Sequence, residues 1–343
     1  MRFCTPARIY PHMLFERLLL AVCTFAAAGW AGSSTAVSGP VTGFIFDAQA
    51  DAVRPMRGIP GAAYLDAPVV NGVGAASVAP DGSAVLVVEK RAGRLLLYTG
   101  LRSGTPTPVT IRGAIAGADH FAWSGGSAAA VYASSSGQAQ ILTNLAQSPS
   151  AGAPVSLAGL PGPVTALAFD GQRMILGVSG DSGGIYLAGQ TAAAQRIAAA
   201  TDPSAIVAAG ADLYFADRQA QQIWQVESYA GAPAAVLFAN DSGISSPAGM
   251  QLSADGQRLY VANAGNRKLE IYNIATRSAA QSLDLSFTPT RLDGFGDTSV
   301  FLLNSSGPGP FYVLSDGNPA KIAVYFVPAG ITHRTRPLHP RPI

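Results

Sequence analysis

Six polar side chains recur at one place in a repeated sequence unit, at the end of its second predicted strand. They are Glu89, Ser134, Ser179, Asp217, Asn263 and Asn304. One polar side chain per unit on one face could form a ring that binds a small ligand or a partner protein. Asp, Asn and Ser side chains also cap turns, and the segment Asn263-Ala264-Gly265-Asn266 favours that role. Both interpretations stay open, and we favour turn capping.

Two aspartate-rich turns have the oxygen chemistry that calcium prefers. They are Asp293-Gly-Phe-Gly-Asp297 and Asp181-Ser-Gly-Gly. Neither has the ligand number or the distal glutamate of a dedicated calcium loop, so we interpret both as turns. The sequence predicts no metal site and no cofactor.

One histidine, His120, lies within the repeated region, and it follows Asp119 directly. The pair could supply two members of a catalytic triad. Adjacent residues of a strand point to opposite faces, however, and no Gly-x-Ser-x-Gly elbow accompanies them. The only cysteines, Cys4 and Cys23, lie near the N-terminus, which leaves no thiolate nucleophile in the repeats. We therefore predict no catalytic residue, and a non-enzymatic role is favoured.

The repeat itself predicts the fold. Its turns are spaced 40 to 45 residues apart, the length of one four-stranded propeller blade. The markers are Gly82, Gly126, Gly171, Ala211, Gly256 and Gly296. We expect an all-β, β-propeller domain over residues 41–328, with six or possibly seven four-stranded blades. In the clearest unit the strands are predicted at 249–253, 258–263, 269–274 and 279–285.

An additional hairpin, residues 43–58, precedes the first complete unit. Closing a propeller ring removes exposed strand edges. We therefore predict that this hairpin completes the last blade by pairing with residues 311–327.

Residues 1–31 read as a secretory signal peptide, with Arg8 and Arg17 before an apolar run and a small-x-small cleavage site near Ala31. We expect residues 32–40 to be a flexible lead-in and the basic, Pro-rich tail 329–343 to be disordered. The chain is then exported, to the periplasm or beyond the cell, without a disulfide or a membrane span. A retained anchor and a lipid attached at Cys23 are the alternatives.

Charge excludes one class of partner. The net charge is +2, and the predicted signal and tail contain the excess of basic residues, so the folded body is slightly acidic. Such a body offers no electrostatic footprint for nucleic acid or an anionic membrane. We expect a monomer.

Two segments carry a family resemblance. Residues 259–278, LYVANAGNRKLEIYNIATRS, resemble the YVTN repeat of exported bacterial propellers, and residues 203–226 are similar to an NHL-type repeat. The resemblance extends over about 250 residues and implies a propeller of six or seven blades, without implying an activity. Residues 246–263 also resemble a strand of gluconolactonase-like propellers, which hold a divalent cation. Ala248 stands where that family's pattern would carry an amide ligand.

The resulting hypothesis is an exported, non-catalytic β-propeller that binds a protein or a cell-envelope glycan. The alternative is a metal-dependent hydrolase or lyase of the lactonase-like kind, which would need at least three convergent carboxylate or amide groups in the channel. A third possibility is a purely structural envelope repeat.

Overall fold

The computed structural model describes residues 39–328, except 190–192, 297–298, 305–308 and 318–321. The described residues form an all-β propeller of seven antiparallel blades. Blade 1 contains β1 (Val41–Asp47), β2 (Ala52–Arg57), β3 (Tyr64–Leu65) and β4 (Val70–Asn71). Blade 2 contains β5 (Val73–Val78), β6 (Ala84–Glu89), β7 (Leu95–Thr99), a short 3-10 turn (Leu101–Ser103) and β8 (Thr107–Thr110).

Blade 3 contains β9 (His120–Ser124), β10 (Ala128–Ala133), β11 (Gln138–Thr143), β12 (Ser150–Ala151) and β13 (Val155–Ser156). Blade 4 contains β14 (Val164–Phe169), β15 (Met174–Val178), β16 (Gly184–Ala188) and β17 (Gln195–Ala199). Blade 5 contains β18 (Pro203–Ala209), β19 (Asp212–Asp217), β20 (Gln222–Glu227) and β21 (Ala234–Ala239). Blade 6 contains β22 (Pro247–Leu252), β23 (Arg258–Asn263), β24 (Lys268–Asn273) and β25 (Ser278–Asp284), and blade 7 contains β26 (Asp293–Gly294), β27 (Val300–Leu302), β28 (Phe311–Ser315) and β29 (Ala323–Val327).

The repeat prediction is confirmed, and the number of blades is seven. The strands of blade 6 agree with the predicted ones to within two residues at each end. Gly82 and Gly256 show why the turn between the first two strands was a usable marker. Their φ angles of 68° and 67° are left-handed, a conformation that glycine adopts without a steric penalty.

The hydrophobic core lies between the blades as a series of separate clusters. The second strand of each blade is apolar on both sides because it contacts both neighbouring blades. In β23, for example, Leu259 and Val261 pack toward blade 5, whereas Tyr260 and Ala262 pack toward blade 7.

First strands of neighbouring blades are linked around the centre. Thr165 in β14 donates its hydroxyl to the carbonyl of Pro203 at 2.6 Å, and Ser204 in β18 does the same to Pro247 at 2.6 Å. Each hydroxyl reaches the next blade, so the inner strands are held together by side chains as well as by apolar contact.

The predicted closure by the N-terminal hairpin is wrong. Blade 7 builds its sheet from its own four strands, and β1 pairs with β2 instead of with residues 311–327. The hairpin is the first part of a blade of its own, whose outer strand is interrupted: β3 and β4 pair with opposite ends of β2.

The direction of β1 shows which of the four strand positions of a blade it occupies. The β1–β2 turn lies beside the blade-to-blade loop before β5, because the carbonyl of Asp51 accepts from the backbone N–H of Val73 at 2.9 Å. Asp51 also pairs with Lys90, which follows the second strand of blade 2, at 2.5 Å. β1 therefore ends on the face where second strands end, and it runs like a second strand. Among the described residues, blade 1 has no inner strand.

Arg102, in the 3-10 turn of blade 2, joins the blades where the ring closes. Its guanidinium donates to the carbonyls of Asp81 at 2.9 Å, Gly296 at 3.3 Å and Val41 at 3.4 Å. These carbonyls belong to blades 2, 7 and 1. A single side chain thus spans the junction between the first and last blades of the chain.

The predicted signal peptide, most of the predicted lead-in and the predicted tail lie outside the described residues. Within the part of the chain that the structure describes, no helix is long and apolar enough to cross a membrane.

Candidate binding face

One face of the propeller carries the turns between second and third strands together with the loops that join the blades; we call it the upper face. Glu89, Asp217 and Asn263 end second strands, and Ser134, Ser179 and Asn304 follow the ends of theirs, so all six lie on this face. They differ, however, in what their side chains contact.

Asp217 is 3% exposed, and its carboxylate accepts four backbone N–H groups. Two donors, Gln219 and Ala220, belong to the following turn, at 3.1 Å each. The other two, Thr201 at 2.7 Å and Asp202 at 3.2 Å, belong to the loop that enters the same blade. The side chain therefore ties a turn to a loop.

Two asparagines also bond to backbone groups. Asn263 is fully buried, accepts from the N–H of Ser245 at 3.0 Å and donates to the carbonyl of Val261 at 3.2 Å. Asn304 accepts from Tyr312 N–H at 2.8 Å and donates to the carbonyl of Pro310 at 3.0 Å. These contacts are those of capping residues.

Glu89 pairs instead with a side chain. Arg94 donates to its two carboxylate oxygens at 2.6 and 3.0 Å, and this hydrogen bonding lowers the pKa of Glu89. The pair is exposed to solvent and spans its own turn.

Ser134, Ser179 and Asn304 lie one residue beyond the position of Asp217. Strand pairing aligns Val178 with Val164 as it aligns Asp217 with Pro203. In blade 3 the N–H of Gly137 bonds to the carbonyl of Ala133, as the N–H of Gly93 bonds to that of Glu89 in blade 2. In blade 7 the N–H of Leu303 bonds to the carbonyl of Tyr312, as that of Glu89 bonds to Arg94. The equivalent residues are thus Ala133, Val178 and Leu303, so a polar residue is not present at this position in every blade.

Blade 1 supplies an equivalent residue that the sequence analysis missed. Asp47 ends β1, and its carboxylate accepts from Gln49 and Ala50 N–H at 3.1 and 3.2 Å, as Asp217 does from its own turn. The segment FDAQAD matches ADRQAQ of blade 5 and was the available signal. The second carboxylate oxygen of Asp47 pairs with Arg54 at 3.1 Å. In Asp217 the corresponding oxygen bonds to the loop before the blade.

Asp119 and His120 are in contact, although the sequence argument placed them on opposite faces. Asp119 precedes the strand that begins at His120, so strand alternation does not apply to it. Its Oδ1 lies 2.9 Å from Nδ1 of His120 and accepts Ser134 N–H at 3.1 Å. Burial raises the pKa of Asp119, but the bonds from His120 and Ser134 outweigh it and lower the pKa overall. The carboxylate is central here, whereas a Ser-His-Asp triad needs the imidazole between the other two groups.

A polar depression of about 740 Å³ lies on the upper face between blades 5 and 6. One wall is the β19–β20 turn, and the other consists of the loop 240–246 with Asn266. Amide and hydroxyl side chains predominate, and Asp241 is the one charged residue that lines it. The amide groups come from Gln219, Gln221, Asn240 and Asn266.

Several of these side chains are held in position. The side chain of Gln222 is not one of them, because it bonds to the indole N–H of Trp224 at 3.1 Å on the side of β20 that packs toward blade 4. Asp241 accepts from the Tyr272 hydroxyl at 2.9 Å and from Gly243 N–H at 2.8 Å, while Asn266 donates to the Gly243 carbonyl at 2.9 Å. Burial, and secondarily the bond to Asp241, raises the pKa of Tyr272, so this hydroxyl remains a donor at neutral pH.

No group of three or more His, Cys, Asp or Glu side chains suited to a metal occurs within the described ranges. Asp293, from one of the two aspartate-rich turns, pairs with Arg291. Asp297 of that turn is not among the described residues, and Asp181 lies in an exposed turn.

No family model matches the chain, and no curated protein matches it. Solved structures with the same fold do. A Bacteroides fragilis protein provisionally assigned as a 6-phosphogluconolactonase has a TM-score of 0.59 and 14% identity, over 86% of this chain and 95% of that one. A similarly assigned Bacteroides uniformis protein has a TM-score of 0.61 and 14% identity, over 83% and 94%.

The nidogen–laminin complex contains a further similar chain, with a TM-score of 0.52 and 15% identity over 68% of this chain and 90% of that one. The chain is therefore a seven-bladed propeller resembling lactonase-like propellers in fold. At these identities the likeness concerns the fold alone.

Proposed function

We propose that the protein is an exported, non-catalytic binding module that recognises its partner with the upper face. The observation that carries this proposal is the polar depression between blades 5 and 6. Its walls come from two blades, and the side chains of Asp241 and Asn266 are fixed by hydrogen bonds before any ligand arrives. Loops and turns presented by a rigid scaffold are the usual location of binding residues.

The polar groups elsewhere on this face support a scaffold role. The oxygens of Asp217, Asn263 and Asn304 are occupied by backbone groups. Side chains engaged in this way hold the turns and loops that present the upper face.

The alternative is a metal-dependent hydrolase of the lactonase-like kind, favoured by the fold shared with the two Bacteroides proteins. One comparison separates the two functions. The full chain is tested for hydrolysis of gluconolactones by pH-stat, with and without calcium or manganese, and for binding to cell-envelope polysaccharide and envelope proteins. We expect binding without turnover; metal-dependent hydrolysis would contradict the binding-module proposal.

A further inference from the structure

One edge of β1 faces the position that an inner strand fills in the other blades. Each of the other six second strands pairs with an inner strand on one edge and with a third strand on the other, whereas β1 pairs within the described ranges with β2 alone. Proteins pair or cover such strand edges. We propose that residues 329–333 of this chain occupy the edge and complete blade 1. We therefore revise the predicted disorder of the tail for these residues.

The backbone of β2 shows which groups of β1 face the inner position. The carbonyls of Val53 and Pro55 accept from residues 66–69, on the outer side of β2, at 2.9 Å each. Phe46 and Phe44 lie opposite them in β1 and therefore direct their own N–H and C=O groups to the inner edge. Phe44 is buried, and buried backbone groups almost always have a hydrogen-bond partner. The inner edge of β1 is thus suited to an added strand.

The residues after β29 repeat the start of an inner strand. In blades 4 to 6 an inner strand begins with Pro or Val, continues with two small residues and then has a large apolar residue. These starts are Val164-Thr-Ala-Leu167, Pro203-Ser-Ala-Ile206 and Pro247-Ala-Gly-Met250. Pro328-Ala-Gly-Ile331 has the same pattern and differs from the start in blade 6 only by Ile in place of Met. The sequence thus offers a further inner strand directly after blade 7.

The connection to blade 1 is short, and the same protein contains a precedent for it. Asn71 pairs with the third-strand residue that lies opposite the end of the second strand of blade 1, and β5 begins two residues later at Val73. Phe326 pairs with Tyr312, which lies opposite the end of the second strand of blade 7. Pro328 again follows two residues later. A connection of the same length therefore brings Pro328 to the start of an inner strand.

The other blades also define the register of the added strand. In blade 6 Met250 pairs with Val261, and both belong to one hydrophobic cluster. The same register places Ile331 opposite Ile45, whose side chain packs toward blade 7. Ile331 then joins the cluster between blades 1 and 7, and the burial of its side chain anchors the strand.

The segment before β1 is less suited to this position. The carbonyl of Pro40 accepts from Gly58 N–H at 2.8 Å, and that of Gly39 accepts from Arg57 at 3.4 Å. Both donors lie on the third-strand side of β1, away from its inner edge. To reach that edge, the segment would have to turn back across the lower end of β1.

The test measures amide hydrogen exchange and NOEs by NMR in the full chain. In the parent we expect slow exchange at Phe44 and Phe46, and an Hα–Hα NOE between Ile331 and Ile45. Ile331→Asp places a charge in the apolar cluster and should accelerate exchange at the two phenylalanine amides at least tenfold. Ile331→Ala removes most of the anchor without adding a charge and should give an intermediate acceleration.

Two variants are matched controls. Leu338→Asp puts the same charge on an apolar residue beyond the proposed strand, and Val37→Asp puts it on an apolar residue before β1. We expect parental exchange at Phe44 and Phe46 in both. The amides of β19, in blade 5, should exchange equally in all variants, which shows that the ring as a whole stays folded.

Three results would overturn the assignment of residues 329–333 to blade 1. They are fast exchange at Phe44 and Phe46 in the parent, acceleration by Val37→Asp in place of Ile331→Asp, and an NOE that appears only between differently labelled chains. The last result would assign the strand to a second copy of the chain. All three leave the proposed binding function untouched, because the depression lies between blades 5 and 6.

Discussion

Replacing Asp217 with alanine tests whether the residues at the ends of second strands hold the fold together. The carboxylate accepts four backbone N–H groups from two segments and is almost completely buried. Alanine leaves all four donors without their partner. Water can reach the exposed turn and restore part of the loss, but it reaches the loop entering the blade less easily.

A net value of about 1 kcal/mol per hydrogen bond, with partial replacement by water, gives a loss of about 3 kcal/mol in the free energy of unfolding. For a domain of this size that corresponds to a decrease of roughly 5–10 °C in Tm. Urea unfolding followed by tryptophan fluorescence measures it, because Trp224 lies in the next strand of the same blade.

Asp217→Asn provides the graded control. Oδ1 accepts from Asp202, Gln219 and Ala220, whereas Oδ2 accepts from Thr201 alone. An asparagine that retains the first oxygen keeps three bonds and loses one, so its loss should be about 1 kcal/mol, a third of that of alanine. Equal unfolding midpoints for the parent and Asp217→Ala would refute the capping interpretation, above all if Asp217→Ala abolished ligand binding.

Three further changes test other contacts. Asn263→Ala should lower stability by about 1–2 kcal/mol in urea unfolding, because it leaves Ser245 N–H unpaired in a buried place. Arg102→Ala should increase hydrogen exchange in β1 and β27 while the exchange of β19 stays unchanged, since its three carbonyl partners belong to the blades that meet at ring closure. Burial and a bond to Asp170 raise the pKa of Tyr229 to about 12, above its unfolded value of about 10. The resulting stability is present below pH 10 and lost as pH rises toward 12, so Tyr229→Phe should lose less stability over that range than the parent.

The sequence predicted most of blades 2 to 7 because their turns require glycine. Gly82 and Gly256 stand in left-handed turns, and their spacing identified the repeat. In blades 3 and 5 the left-handed glycines are Gly125 and Gly210, one residue before the chosen markers. Seven residues separate Gly82 from Glu89 and Gly256 from Asn263, and the same step from Gly126 leads to Ala133, so the choice of the polar Ser134 was one residue too far along the chain. Since side chains alternate along a strand, an error of one residue changes which face is inferred.

Blade 1 was missed for a different reason. It has no strand before β1 among the described residues, and therefore lacks the turn between first and second strands that served as the marker. Without that turn, β1 and β2 were interpreted as an additional hairpin. The expectation that the ring must be closed then led to the wrong pairing partner, residues 311–327. The turn from Asp47 to Asp51 carries the evidence for the correct assignment, but it belongs to a later part of the repeat.

The candidate site depends on differences between repeats, which an alignment of repeats averages out. Gln140 and Glu270 occupy the same place, since each pairs with the corresponding valine of the preceding strand. Gln140 is fully buried, donates to the carbonyls of Gly113 and Gly152 and accepts from Ile115 N–H, so it serves only to hold a loop.

Glu270 cannot donate to carbonyls when it is ionised. It accepts instead from the Ser282 hydroxyl at 2.7 Å, and Gly243 of the depression loop packs against it. The loop of blade 6 therefore takes its anchors from elsewhere: Asn266 and Asn263 bond to its backbone, and Tyr272 bonds to Asp241. Positions that are alike in many blades maintain the propeller, whereas a departure such as Glu270 accompanies a loop with its own set of contacts. That is why the proposed binding site between blades 5 and 6 has no motif that repeats along the chain.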